Sequence, residues 1–172
     1  MSERHGAVTF QGAPLTCVGD VPAAGAKAPD FTVLTNDLAL AGLADFTEKV
    51  LIVASVPSVD TPVCDMETRR FNTEATGLGP DVRVLVISMD LPFAQKRWCA
   101  AAGVDRVTIL SDHSLASFGQ SYGVLIKELR LLARAVFVLD KNRVVTYARV
   151  VPEITSEPDY AAVLDAARAA LK

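Results

Sequence analysis

The residues of this chain best suited to do chemistry are its cysteines, Cys17, Cys64 and Cys99, and the stretch Pro57-Ser-Val-Asp-Thr-Pro-Val-Cys64 is where one of them is best placed for it. The apolar run Val50 to Val56 before this stretch reads as a buried strand, and the run from Pro62 to about Ala75 reads as an amphipathic helix. Thr61 is the predicted N-cap, and Pro62 suits the first helical position, where a missing N–H costs nothing. Cys64 then falls at the third helical position, among backbone N–H groups that lack intrahelical acceptors and carry the positive end of the helix dipole. That setting favours an anion, and the thiolate is the nucleophilic form of cysteine. The predicted chemistry is that of a reactive thiol.

The spacing Pro57-x-x-x-Thr61-x-x-Cys64 resembles the peroxidatic motif of the peroxiredoxins. The segments Asp90-Leu-Pro-Phe-Ala-Gln-Lys-Arg-Trp-Cys99, Ala133-Arg-Ala135 and Glu153-Ile-Thr-Ser-Glu-Pro-Asp-Tyr160 narrow the resemblance to the bacterial thiol peroxidases, the atypical two-cysteine members. It runs from about Val8 to the C-terminus and implies a thiol peroxidase that reduces hydrogen peroxide and organic hydroperoxides. In that scheme Cys64 is the peroxidatic nucleophile and Cys99 the resolving cysteine. Arg134 aims its guanidinium at the thiolate, the Thr61 hydroxyl contacts thiolate and peroxide, and Pro57 shields the pocket. The resemblance further implies a Cys64–Cys99 intramolecular disulfide recycled by thioredoxin, a homodimer, and no metal, flavin or haem cofactor.

The residues taken alone leave alternatives open. Cys99, near the end of a predicted helix over 92–102, reads equally as a plain helix residue, and Cys17 reads as a small packed residue in a strand. Arg134 is either a strand-end arginine facing solvent or a cation that stabilises the thiolate. Pro57 is either a pocket wall or an ordinary strand-ending proline. A non-enzymatic redox sensor that relays its disulfide to a partner, or a binding module with incidental cysteines, also fits the thiols. There is no Cys-x-x-Cys pair, no Gly-rich phosphate loop, and no metal-ligand pattern around His5 or His113.

The elements that must position these residues follow from the periodicity. Strands are predicted at 50–56, 82–88, 106–110 and 135–140, with a closing hairpin arm at 143–150. Helices are predicted at 62–76, 92–102, 114–121 and 158–171. Strands alternating with helices imply right-handed parallel units, and the final hairpin makes the sheet mixed. The fold class is therefore α/β, a thioredoxin fold with helices flanking a mixed central sheet. The whole chain, 1–172, is expected to be one such domain. Residues 1–20 form an N-terminal extension with a hairpin of Val8–Phe10 and Leu15–Val18, residues 1–7 being loose.

Cys99 lies seven residues beyond Pro92, about 10 Å along its helix. A disulfide needs Cα atoms about 4.4–6.8 Å apart, so a bond to Cys64 is expected to require local unwinding, chiefly of 92–102. Three cysteines in 172 residues are not a disulfide framework. The net charge of −3 and pI near 5.4 argue against nucleic acid or an anionic membrane as partner. With no long apolar span and no signal-peptide pattern, the chain is expected to be cytoplasmic.

Overall fold

The structure is a computed structural model describing residues 1–172. Its centre is β5 (Val50–Ser55), six residues buried on both faces, as a central strand covered on two sides must be. Beside it lie β6 (Val82–Ser88) and β7 (Val107–Ser111), both parallel neighbours in series. On its other side β10 (Ala135–Leu139) runs antiparallel and pairs with β11 (Val145–Val150). Short strands β3 (Val33–Leu34) and β4 (Leu40–Ala41) extend the far edge, giving a mixed seven-stranded sheet ordered β11-β10-β5-β6-β7-β3-β4.

Alternation along the strands divides the core. Val50, Ile52 and Ala54 face the layer of α1 (Pro62–Leu78), α2 (Pro92–Ala102) and α4 (Tyr160–Ala170). Leu51 and Val53 face the opposite layer, which holds α3 (Ser117–Ser121) and a second sheet. The helix α1 buries Cys64, Glu67, Thr68, Phe71 and Leu78, a stripe at helical spacing with a carboxylic acid in it. The predicted α/β class and the mixed sheet are borne out by this arrangement.

The second sheet was not legible as such. It contains β1 (Glu3–Phe10), β2 (Ala13–Val18), β8 (Leu125–Ile126) and β9 (Leu131–Leu132), in that order. The expected hairpin is present, but its first arm starts at Glu3, so residues 3–7 are strand rather than loose chain. A register shift between Arg4 and Val8 explains why the polar stretch did not read as alternating. The helix over 117–121 is shorter than the predicted 114–121 because Asp112 accepts from the Phe118 and Gly119 amides and holds the preceding turn open. Gly19 and Gly123 both have positive φ and sit against backbone of the other segment, where a Cβ would come within 2.1 Å of the Gln120 carbonyl oxygen at Gly19. No helix is long and apolar enough to cross a membrane.

The hairpin is pinned by Glu153, in the segment after β11. Its carboxylate accepts from Thr9 Oγ1 at 2.7 Å and from the turn amides of Gln11 and Gly12 at 3.1 Å. The Thr9 hydroxyl, then the Gly12 amide and the Thr155 hydroxyl, hold this carboxyl down at about 2, below the ordinary 4.5. A lowered carboxyl stabilises the fold above 4.5, and that contribution is lost as pH falls toward about 2. Acidification should therefore free the Gln11 and Gly12 amides before the central sheet melts, and Glu153→Ala should show the freed amide shifts already at neutral pH. NMR shifts at Gln11 and Gly12 that ignore both changes would contradict this.

Candidate active site

The turn between β5 and α1 places the candidate thiol. Thr61 is extended, with φ −94° and ψ 146°, and Pro62 opens the helix. The position of the cap is as expected, but its chemistry is not. Thr61 makes no side-chain cap; its hydroxyl donates back to the Ser58 carbonyl at 2.9 Å. The first-turn amides are thus left without a side-chain acceptor, near Cys64 at the third helical position. The Ser58–Val59 turn is held by Asp90, whose carboxylate accepts from Ser58 Oγ at 2.7 Å and from the Val59 amide at 2.9 Å. Asp90 also accepts from Ser88 Oγ, which in turn accepts from the Gln95 amide group of α2. Asp90 therefore braces the turn before α1, while Leu91 takes the cap position of α2.

Arg134 does not face solvent. It is among the largest fully buried side chains, and its Nη2 donates to Cys64 Sγ at 3.2 Å. Nε and Nη2 also donate to the Ile154 carbonyl at 3.1 and 3.0 Å, and Nη1 pairs with Glu67 Oε2. Its own backbone carbonyl accepts from Val151. The guanidinium is thus fixed from two sides, and Nη2 shares its donors between the Ile154 carbonyl and the sulfur. Burial alone would depress the arginine, but the charges of Glu67 and Cys64 more than offset that and raise it.

Glu67 is the residue that sequence reasoning missed. The signal was a charged side chain at i+3 from Cys64 and i−4 from Phe71, on the apolar stripe of the helix. Burial pushes its carboxyl up to about 7 against the pull of Arg134, with Glu157 adding to the rise.

A cavity of about 270 Å³ opens beside these groups, lined by Pro57, Thr61, Pro62, Val63 and Arg134, with Ile154 and Thr155. Phe10 of the hairpin and Leu129 and Leu131 around β9 complete a mostly apolar wall. Cys64 is fully buried and does not line the cavity, whereas Arg134, which donates to its sulfur, does. Pro57, Thr61, Cys64 and Arg134 are therefore brought to one place.

Cys99 is not part of that cluster. It sits in intact α2, half-buried, with Asn36 Nδ2 3.8 Å from its sulfur. Burial raises its thiol, with Asn36 and its own backbone opposing. All three cysteines are free. A bridge does join the two helices next to their cysteines: Trp98 Nε1 donates to Asp65 Oδ1 at 3.0 Å. Arg69 pairs with Asp65 and donates to the Ala102 carbonyl. Cys17 is a packed core residue on β2, raised by burial, as its strand position predicted. No group of three or more His, Cys, Asp or Glu side chains is arranged to hold a metal ion.

The Redoxin family profile matches residues 23–164 of the chain. The chain belongs to the redoxin family. Among curated relatives of this redoxin, the thiol peroxidase of Oceanobacillus iheyensis is 58% identical over 157 residues, covering 91% of this chain and 95% of that one. The thiol peroxidase of Bacillus subtilis is 57% identical over 165 residues, covering 96% and 98%. The crystal structure of a peroxiredoxin-like protein from Aquifex aeolicus superposes with a TM-score of 0.88 at 42% identity, over 95% of this chain and 96% of that one. The resemblance to the bacterial thiol peroxidases that the motifs suggested is borne out by these relatives.

The buried pair generates a stability prediction with a definite sign. A raised carboxyl favours the fold while protonated, so the Glu67 contribution is complete below 4.5 and is lost as pH rises through about 7. Arg134→Ala removes the cation that compensates the ionised form. Its cost in urea unfolding should be about 3–5 kcal/mol at pH 8, the range for a buried pair that loses one partner. At pH 5 the cost should be smaller. Equal losses at the two pH values would show that the pair carries no charge coupling.

Proposed function

We propose that this redoxin is a thiol peroxidase that reduces hydrogen peroxide and organic hydroperoxides, with Cys64 as nucleophile. The observation that carries the reading is the Arg134 guanidinium 3.2 Å from Cys64 Sγ, at a helix N-terminus and beside a cavity walled by Thr61 and Pro57. A helix N-terminus and a contacting cation both favour the thiolate. In the proposed reaction the thiolate attacks one peroxide oxygen. The S–O bond forms as the O–O bond breaks, and the leaving oxygen takes a proton to depart as water or alcohol. Cys64 is oxidised to a sulfenic acid and the peroxide is reduced. Arg134 donates to the oxygen that accumulates charge, and the Thr61 hydroxyl orients the peroxide while Pro57 keeps water from the sulfur.

The second half of the cycle is assigned to Cys99. Its thiol attacks the sulfenic sulfur, the S–S bond forms and water leaves. Thioredoxin then reduces the disulfide by exchange through a mixed disulfide. No metal, flavin or haem enters this scheme, and the protein acts as a cytoplasmic homodimer. Each cysteine here sits in an intact helix with its own neighbours, Arg134 for Cys64 and Asn36 for Cys99. Joining them requires α2 to unwind and the first turn of α1 to loosen, which breaks the Trp98–Asp65 bond.

The test is peroxide consumption with thioredoxin, thioredoxin reductase and NADPH. Cys64→Ser should abolish turnover. Cys99→Ser should consume about one equivalent of peroxide per chain, the stoichiometry of a single sulfenic acid, and then stop. Cys17→Ser should be nearly silent. Wild-type protein that also stops after a single turnover in the full thioredoxin system would be a sensor, not an enzyme. In addition, amide exchange over residues 92–102 should speed up on oxidation; unchanged exchange with a Cys64–Cys99 bond established by mass spectrometry would overturn the unwinding step.

A further inference from the structure

Cys64 and Glu67 are two acids on one face of α1, and one guanidinium lies between them. Arg134 Nη2 donates to the sulfur at 3.2 Å, and Nη1 pairs with Glu67 Oε2. The other carboxyl oxygen, Oε1, is buried with no hydrogen-bond partner. No second cation is available to share the load. Arg70, on the next turn, stacks its guanidinium 4.1 Å from the centre of the Tyr160 ring on α4. From the segment before α4 comes a further acid, Glu157, whose Oε1 accepts from the Tyr160 hydroxyl at 3.0 Å. The remaining polar group against the guanidinium is the neutral Ile154 carbonyl.

With Cys64 and Glu67 both ionised, a buried cluster would hold two negative charges against one positive. Like charges that share a buried site cannot both ionise at their ordinary values, and their protons come off in coupled steps. We propose that Glu67 is a positioning residue that competes with the Cys64 thiolate for Arg134, so that the proton on the Glu67 carboxyl sets how much of the guanidinium's charge reaches the sulfur. A protonated Glu67 leaves the cation to the thiolate, and an ionised Glu67 draws it away. The upward displacement of Glu67 to about 7 puts that exchange where a cell's pH lies. The inference rests on the proposed function only in taking the Cys64 thiolate as the reactive form.

The coupling is reciprocal, so it can be read from either acid. The first measurement is the rate of Cys64 alkylation by iodoacetamide against pH, resolved by mass spectrometry, in wild type and Glu67→Gln. The variant keeps an oxygen for Arg134 and removes the competing charge. Its profile should collapse to a single step with the half-point lower by about one pH unit, the size expected for a partly compensated neighbouring charge. The second measurement needs no change at Glu67: the 13C titration of its labelled carboxyl in wild type and Cys64→Ser. Removing the thiolate should lower the Glu67 half-point by a comparable amount. A tether without charge coupling gives a different result: Glu67→Gln slows alkylation by one factor at every pH, and Cys64→Ser leaves the carboxyl titration where it was. Either outcome would overturn the proposal. Neither readout involves peroxide, so a protein that reduces no peroxide would refute the proposed function while leaving this coupling standing.

Discussion

A guanidinium sealed inside the protein is the constraint on which the rest of the site depends. Taking such a charge out of water costs several kcal/mol unless its donors are satisfied. Arg134 is satisfied from three directions: the Ile154 carbonyl, the Glu67 carboxylate and the Cys64 sulfur. Two of these come from the start of α1 and one from the segment after β11, so the arginine, just beyond β9, ties three parts of the chain into one unit. The segment after β11 also holds the hairpin turn through Glu153, one residue before the carbonyl that Arg134 uses. Hairpin, cavity wall and guanidinium are consequently positioned by the same few residues.

The central sheet supplies rigidity where this unit meets the core. β5 delivers the turn that begins at Val56, and β10, its antiparallel neighbour, begins one residue after Arg134. The pairing of Ser55 with Ala135 fixes the relative position of thiol and cation through backbone hydrogen bonds. Ser55 adds a side-chain bond, donating to the Ala133 carbonyl at 2.8 Å. Two residues 70 positions apart in sequence thus meet because two central strands lie side by side.

Much of this was legible in the sequence, and the limits have physical causes. The long strands and α1, α2 and α4 were readable because burial on one or both faces leaves a strong period in the side chains. Strands β8 and β9 were not, since two-residue strands carry no period and are defined by pairing with distant chain. Cys64 was marked by local signals, the proline and the helix start. Arg134 was marked only by its neighbours, and its contact depends on strand pairing that no local pattern encodes. Glu67 was missed, although an acid on an apolar stripe is itself the sign of a buried partner. Thr61 shows the opposite error: the cap position was right, yet its hydroxyl turned back to Ser58, because several acceptors lie within reach of a short side chain.

Trp98 is the sole tryptophan of the chain, and its indole nitrogen is bonded to Asp65, the residue after Cys64, while its own neighbour in sequence is Cys99. The Arg69 guanidinium lies over its ring, 5.7 Å from the centroid, and adds a charge at the same spot. An indole so placed sits at the seam between the two cysteine helices. Its emission therefore responds to a change in the contact between those helices, and the protein carries an optical probe between its two cysteine-bearing helices.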